Sequence, residues 1–471
     1  MRMLNVVTSR RRTGRRPLLA AACPALLVVG LVACAHARAA FAQDAPPERR
    51  YVRVGTAELA PKVTFGGEYD SNAYHEQDHE HDVFSIVVEP SATLAHKTES
   101  TILDAHATYH LQKYLDFKKA WPHYANLDRY RDGHAGLKLQ ILPKAPAGVN
   151  LDGRLVSTDR PSEALYSPAS ALIHRFTSQA TGHLVARPGQ ALEFQGGMYV
   201  MWDDYKVPET ANPEMNENYN SRLSYAALLQ GRWKFFPRTT VVLDGKWEWF
   251  EWDNNLINIQ SEPGVEPGAH GSYLGSPDGD MLKVRAGLQG KVTERLGVNL
   301  SGGWVWGTYD EQSVLDEAAL LIPDLEASVD DDLSQGFGRD VQGIDRLTVT
   351  LVGEYAVDQA SRFSAGYVRD VQDVYFTNYL VYDYVYGKYR RIFTPRFGAA
   401  VEGGYRREAF RGEVSRDDHV LRAKGDLTYA INRWLSTTVG VWWDERASVG
   451  GVHPDVEFDN VNVHLHLIAT Y

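Results

Sequence analysis

Cysteine is nearly absent from this chain of 471 residues, which contains only two. Both of them, Cys23 and Cys34, lie within the first 42 residues, which have the composition of an export signal. Once this segment is removed, the exported chain contains no cysteine. The sequence therefore excludes a disulfide-stabilised domain, and we expect backbone pairing and side-chain packing to hold the fold.

Long apolar runs and positive charge are also scarce. No stretch of about 18 consecutive apolar residues occurs beyond the N-terminal segment, which excludes a helical membrane protein. The chain has 49 Lys and Arg against 60 Asp and Glu, for a net charge of −11. Residues 1–42 contain seven Arg and no acid, so the mature chain carries −11 − 7 = −18. This acidic balance argues against nucleic acid as a partner.

The chain has no motif that indicates catalysis. It contains neither a Gly-x-Ser-x-Gly nucleophile turn nor a glycine-rich phosphate loop. We therefore expect no enzymatic activity, no catalytic residue, no cofactor and no resident metal ion.

The N-terminus predicts a signal peptide. Basic residues up to Arg16 precede an apolar segment, Leu18–Ala33, and Ala40-Phe41-Ala42 offers a small-x-small cleavage site. A second interpretation stays open, because Leu31-Val32-Ala33-Cys34 matches a lipobox in which Cys34 would carry the lipid. We expect cleavage after Ala42.

What the sequence does contain is regular alternation of apolar and polar residues. The segment Asn460–Tyr471 reads N-V-N-V-H-L-H-L-I-A-T-Y, which predicts a strand with one apolar and one polar face. This ending resembles the terminal strand of bacterial outer-membrane barrels. The resemblance implies that Leu467, Ala469 and Tyr471 form the signal that the barrel-assembly machinery recognises.

Seventeen further segments are predicted strands, which makes eighteen in total. An even number of strands, each long enough to cross a bilayer when tilted, is typical of a bacterial outer-membrane barrel. We predict an all-β fold, a transmembrane antiparallel up-and-down β-barrel over residues 59–471, after a signal peptide (1–42) and a periplasmic leader (43–58). The predicted strands are 61–70, 83–95, 101–115, 126–141, 147–159, 172–186, 191–203, 220–235, 239–252, 280–292, 296–309, 344–357, 362–373, 376–392, 397–410, 418–431, 435–447 and 459–471.

The connections between predicted strands alternate in length. Short ones such as 432–433 are typical of periplasmic turns, and long polar ones such as 253–279 are typical of outer loops. The longest, 310–343, is strongly acidic and has helical spacing before Pro323; it either folds into the barrel mouth and narrows it or caps the barrel from outside. The loop His75–Asp82 has three histidines and four carboxylates, but its spacing matches no closed zinc site, and we interpret it as a solvated acidic loop.

The polar faces of the strands provide candidate pore-lining residues. These faces are densely charged, whereas the apolar faces carry aromatic residues such as Trp304 and Tyr405, which favours a lipid-facing exterior. The pore-lining residues that we predict are Asp244, Lys246, Glu248, Lys283, Arg285, Glu402, Arg406, Arg422, Lys424, Asp426, His464 and His466.

A tyrosine-rich run offers a second candidate site. If they point inward, Tyr382, Tyr384 and Tyr386 would present flat rings and hydroxyl groups on which sugars could stack. If they point outward, they are ordinary interfacial aromatics. Both parities occur in the run, so the sequence leaves the two interpretations open.

Three short segments of the chain are distinctive: Tyr69-Asp70-Ser71-Asn72, Ile431-Asn432-Arg433-Trp434-Leu435 and Phe458-Asp459-Asn460. Together they resemble the outer-membrane β-barrel porin family and the barrels that accompany polysaccharide-secretion systems. The resemblance implies eighteen strands and a transport role in the Gram-negative outer membrane.

On this resemblance we expect a channel for a hydrophilic solute that takes part in polysaccharide export. The expected partners are outer-membrane lipid, the barrel-assembly machinery and a periplasmic polysaccharide-export protein. Two alternatives stay open: a general or small-solute porin, and a plugged structural or surface-binding barrel.

Overall fold

The computed structural model describes residues 52–72, 82–115, 129–159, 174–206, 221–253, 278–310, 343–374, 377–411, 416–449 and 457–470. Among these residues, no helix is long and apolar enough to cross a membrane.

The described chain forms one short strand, β1 (Val52–Val54), and eighteen long ones. The long strands are β2 (Ala57–Asp70), β3 (Val83–Lys97), β4 (Thr101–Leu115), β5 (Arg129–Ile141), β6 (Ala147–Thr158), β7 (His174–Ala186), β8 (Leu192–Lys206), β9 (Ser221–Phe236), β10 (Thr239–Asp253), β11 (Asp278–Lys291), β12 (Leu296–Asp310), β13 (Ile344–Ala356), β14 (Ser361–Val374), β15 (Thr377–Thr394), β16 (Phe397–Arg411), β17 (Arg416–Ala430), β18 (Leu435–Val449) and β19 (Phe458–Thr470).

The eighteen long strands close into a ring. Each strand from β2 to β18 pairs antiparallel with the next, and β19 pairs with β2 through positions such as Leu467 and Phe65. Among the described residues, strand β1 pairs with β2 alone, beside the ring. Apart from the outer ends of β13 and β14, closure leaves no free sheet edge around the ring, which satisfies the backbone groups that lipid cannot. The predicted eighteen-strand antiparallel barrel is confirmed, and the predicted strand ends lie within four residues of the observed ones.

The barrel reverses the distribution of polar and apolar side chains that is usual in soluble proteins. Leu229 and Leu465 are 71% and 54% exposed on the outer face, whereas Glu248 and Asp418 are 3% and 0% exposed on the inner face. An apolar exterior around a charged interior is unstable in water and suits a lipid bilayer.

The short connections are fixed by side chains that accept backbone hydrogen bonds. In the turn between β17 and β18, Asn432 Oδ1 accepts from the backbone N–H groups of Trp434 and Leu435, both at 2.9 Å. In the turn between β13 and β14, Asp358 accepts from the Ala360 N–H at 2.7 Å, and this bond lowers the pKa of the Asp358 carboxyl. Asn and Asp serve here because their short side chains reach a backbone amide two residues ahead.

The seam between β13 and β14 is not paired along its full length. Pairing between β13 and β14 ends at Val349 and Arg369, although both strands continue beyond these residues. Beyond this point, the Tyr379 ring of β15 stacks on the Tyr309 ring of β12 at 6.3 Å, and Arg346 Nη2 of β13 donates to the Tyr379 hydroxyl at 3.2 Å.

The outer ends of β14–β16 therefore lie against the inner face of β10–β13. Residues of β14, β15 and β16 that alternation would turn outward are buried there in one apolar cluster with inward residues of β10–β13. The cluster consists of Phe250, Trp252, Met281, Val305, Tyr309, Ile344, Val371, Tyr379, Val381 and Ala409. This packing fills part of the barrel near its outer mouth.

Candidate pore lining

The structure places all twelve predicted pore-lining residues on the inner face, on β10, β11, β16, β17 and β19. Residues that are paired across neighbouring strands share a face, and Asp244 is paired with Arg285 as Glu402 is with Lys424. Whether these residues meet a permeating solute stays a prediction.

The inner charges are arranged as ion pairs. On the β10–β11 side, Arg285 Nε lies 2.9 Å from Asp244 Oδ2, and Lys246 Nζ lies 2.6 Å from Glu248 Oε2. Lys283 also forms an ion pair, with Asp370 of β14, which is three strands away.

The β15–β18 side has its own pairs. Lys388 Nζ lies 2.9 Å from Glu402 Oε2, Lys424 Nζ lies 3.5 Å from Asp426 Oδ2, and Arg422 Nε lies 3.7 Å from Asp444 Oδ2. Asp370, Lys388 and Asp444 were not among the predicted pore-lining residues. Each lies within a predicted strand, and its parity alone could have placed it on the inner face.

A second charged group, also missed, is fully buried near the outer ends of β16–β18. Arg446 pairs with Glu408, and Arg416 Nε lies 2.9 Å from Asp418 Oδ1. Ser448 Oγ donates to Asp418 at 2.7 Å. Buried ion pairs of this kind fix strand positions, because removing one partner leaves an uncompensated charge.

Two glycines leave niches in the barrel wall, and inward tyrosine rings lie flat in these niches. A Cβ atom on Gly404 would lie 2.8 Å from the Tyr384 ring, and one on Gly366 would lie 2.6 Å from the Tyr386 ring. Only glycine leaves room for rings in these positions. The rings therefore cover the wall and extend little into the lumen.

The structure places Tyr382, Tyr384 and Tyr386 on the inner face of β15. The Tyr384 and Tyr386 rings stack at 5.2 Å and 21°. The Arg406 guanidinium lies 4.4 Å from the centre of the Tyr382 ring. Of the two interpretations left open by the sequence, the inward one describes these three residues, and sugar stacking remains a prediction.

A cavity of about 1080 Å³ lies inside the ring, along the arc of strands that runs from β15 through β19 to β5. Its lining includes Arg422, Lys424, Asp426, His464 and His466 of the predicted set. It also includes Trp442, which is 42% exposed on the inner face of β18 and was not among the predicted pore-lining residues.

Several predicted features lie outside the described residues: the loop at 75–81, the acidic loop at 311–342 and Tyr471. The structure describes the other two residues of the predicted assembly signal. Leu467 lies on the outer face and is 43% exposed, and Ala469 is paired with Val63 of β2. Within the described part of the chain, no group of three or more His, Cys, Asp or Glu residues is arranged to hold a metal ion.

The closed antiparallel ring, its apolar exterior and its charged interior define a class. Proteins built in this way are integral β-barrels of the Gram-negative outer membrane. The protein is an integral outer-membrane β-barrel with eighteen transmembrane strands.

Comparison with known proteins gives likenesses of structure but not of sequence. No family model matches the chain, and no curated protein sequence does. The structure of Pseudomonas aeruginosa OpdK with vanillate is similar at a TM-score of 0.44 and 12% identity, over 88% of this chain and 99% of that chain. Acinetobacter baumannii OccAB3 is similar at a TM-score of 0.44 and 8% identity, over 89% and 100%. The ferric enterobactin receptor PfeA of Pseudomonas aeruginosa is similar at a TM-score of 0.44 and 7% identity, over 88% and 80%.

Proposed function

We propose that the protein is an outer-membrane channel through which small hydrophilic solutes diffuse. The observation that carries this proposal is the cavity of about 1080 Å³ on the inner face, lined by charged and polar side chains. Eighteen strands make a ring wide enough for an aqueous path, and charged walls keep such a path hydrated.

The size of this space favours a small solute over a polymer. Its volume is close to that of cavities that hold small molecules, on the order of 300–1,000 Å³. The apolar cluster that joins β14–β16 to β10–β13 occupies space nearer the outer mouth. Polysaccharide export, the first expectation from the resemblance, has only the inward row Tyr382, Tyr384 and Tyr386 in its favour. The small-solute alternative is therefore the function that we propose.

Liposome swelling tests the proposal directly. Purified protein in lipid vesicles should admit neutral sugars of one or two rings quickly and should exclude long oligosaccharides. Vesicles that do not swell with any sugar would refute the channel. Fast entry of long oligosaccharides would support polysaccharide export instead.

A pair of neighbouring threonines provides the matched variants. Thr438 lines the cavity on the inner face of β18, whereas Thr437 is paired with the outward Leu467. Thr438→Trp should slow swelling because the indole occupies the path. Thr437→Trp, the same change on the outer face, should leave the rate unaltered; equal rates for the two variants would show that solutes do not pass this cavity.

A further inference from the structure

Four histidines line the cavity, and each has a ring nitrogen close to a carboxylate. The four distances are 3.0 Å from His466 Nε2 to Glu68 Oε1, 3.3 Å from His110 Nδ1 to Glu89 Oε2, 3.2 Å from His464 Nε2 to Asp426 Oδ1, and 2.9 Å from His134 Nε2 to Asp132 Oδ2. Four such pairs along one wall are a repeated arrangement, and the proposed channel gives them no other role.

The rings are held in place by the wall itself. His464 and His466 stack at 4.8 Å, and a Cβ atom on Gly66 or Gly440 would collide with one of these two rings. His110 packs edge-on against the Tyr130 ring at 5.7 Å. The imidazoles therefore stay on the cavity surface, where their charge acts on the lumen.

The other charges of this cavity cancel. Six cationic side chains line it: Lys62, Lys388, Arg390, Arg396, Arg422 and Lys424. Six carboxylates line it as well: Glu68, Asp70, Glu89, Asp132, Asp426 and Asp444. Protonation of the four histidines therefore adds positive charge to a lining whose other ionisable side chains are equal in number for the two signs.

We propose that His110, His134, His464 and His466 determine the charge selectivity of the channel and make it depend on pH. This inference rests on the proposed channel function. Histidine is the side chain whose charge ordinarily changes between pH 5 and 8. With neutral imidazoles the cavity has no net charge, and with protonated imidazoles it gains four positive charges. A positive lumen attracts anions and repels cations, so acidification favours anion passage.

Reversal potentials in planar bilayers under a KCl gradient test this inference. The wild-type channel should show a several-fold rise in the Cl⁻-to-K⁺ permeability ratio when the pH falls from 8 to 5. A variant with Gln at all four histidine positions should conduct and should lose most of this rise. The two double variants, His110→Gln with His134→Gln and His464→Gln with His466→Gln, should each lose part of it, which keeps the test available if the quadruple variant folds poorly.

A histidine on the outer face provides the control. His419 contacts Tyr405 there, with its Nδ1 2.6 Å from the tyrosine hydroxyl, so His419→Gln should keep the full pH response. A wild-type ratio that is flat with pH, or a quadruple variant with the full response, would overturn the assignment. A protein with no conductance at either pH would instead refute the channel itself.

Discussion

Asn72 and Asn460 hold the first and last barrel strands together across 388 positions of sequence. The Asn72 backbone N–H donates to Asn460 Oδ1 at 3.1 Å, and Asn72 Nδ2 donates to the carbonyl of Asp459 at 3.2 Å. Ser71 Oγ also donates to Asn460 Oδ1, at 3.2 Å. Both asparagines are buried, so these bonds are made where water cannot replace them.

Asn460→Ala should weaken barrel closure. It removes the acceptor of two hydrogen bonds, from Ser71 Oγ and from the Asn72 N–H, although that N–H keeps Asp70 Oδ1 at 3.0 Å. The loss of the two bonds should cost about 1–3 kcal/mol. The measurement is the urea midpoint of the barrel in lipid vesicles. Asn299→Ala, at an exposed position of β12, is the control and should change the midpoint little. An unaltered midpoint for Asn460→Ala would show that backbone pairing alone closes the ring.

Two adjacent residues of β9 test which face meets lipid. Leu229 is 71% exposed on the outer face in the middle of the strand, and Gln230 is its inward neighbour. Leu229→Arg should lower the free energy of unfolding in lipid by about 2–4 kcal/mol, the cost of an arginine at the bilayer midplane. Gln230→Arg introduces the same charge into the lumen and should cost far less. The reverse order would mean that inner and outer faces have been exchanged.

Two glutamates of β16 allow the stability contribution of a buried ion pair to be compared with that of a half-exposed one. Glu408 is 3% exposed and pairs with the buried Arg446, whereas Glu402 pairs with the half-exposed Lys388. Glu408→Gln should cost about 3–5 kcal/mol, because it leaves a buried guanidinium without this partner. Glu402→Gln should cost at most about 1 kcal/mol. Equal urea midpoints for the two variants would argue that Asp418, whose Oδ2 already lies 3.7 Å from Arg446 Nε, compensates this guanidinium by itself.

Filling the niche at Gly404 should destabilise the barrel, and a second substitution should remove most of this loss. Gly404→Ala puts a methyl group against the Tyr384 ring and should cost about 1–3 kcal/mol through overpacking. In a Tyr384→Ala background the same change should cost much less. Gly387→Ala, where nothing lies within 4 Å of the new Cβ, is the control. Additive costs in the double variant would mean that the ring does not occupy the niche.

Local pattern was sufficient to predict the strands and, in strands such as β10, their faces. Alternation in β10 places Asp244, Lys246 and Glu248 on one side whatever the partner strand, so parity could be read directly from the sequence. The turn between β17 and β18 was equally accessible, because Asn432 stands where an Asx turn needs it.

Features that depend on register or on distant strands could not be predicted in this way. Lys283 and Asp370 are 87 positions apart and meet only because the outer end of β14 leans inward. The niche at Gly404 exists only because register brings it beside the Tyr384 ring. No local signal marks Arg369 as the place where pairing with β13 ends.

The inward packing of β14–β16 should limit the conductance of the pore. The stacked rings of Tyr309 and Tyr379 join the two sides of the apolar cluster, and both residues are buried. Replacing both by Ala removes this contact and opens space near the outer mouth, because large-to-small changes leave a cavity that its surroundings fill only in part. We therefore expect the double variant to show higher single-channel conductance in planar bilayers than the wild type. Tyr429→Ala on the outer face, where the ring is 45% exposed, is the control and should leave conductance unaltered. If the double variant folds and conducts like the wild type, the cluster does not limit the current, and the narrowest part of the path lies elsewhere in the barrel.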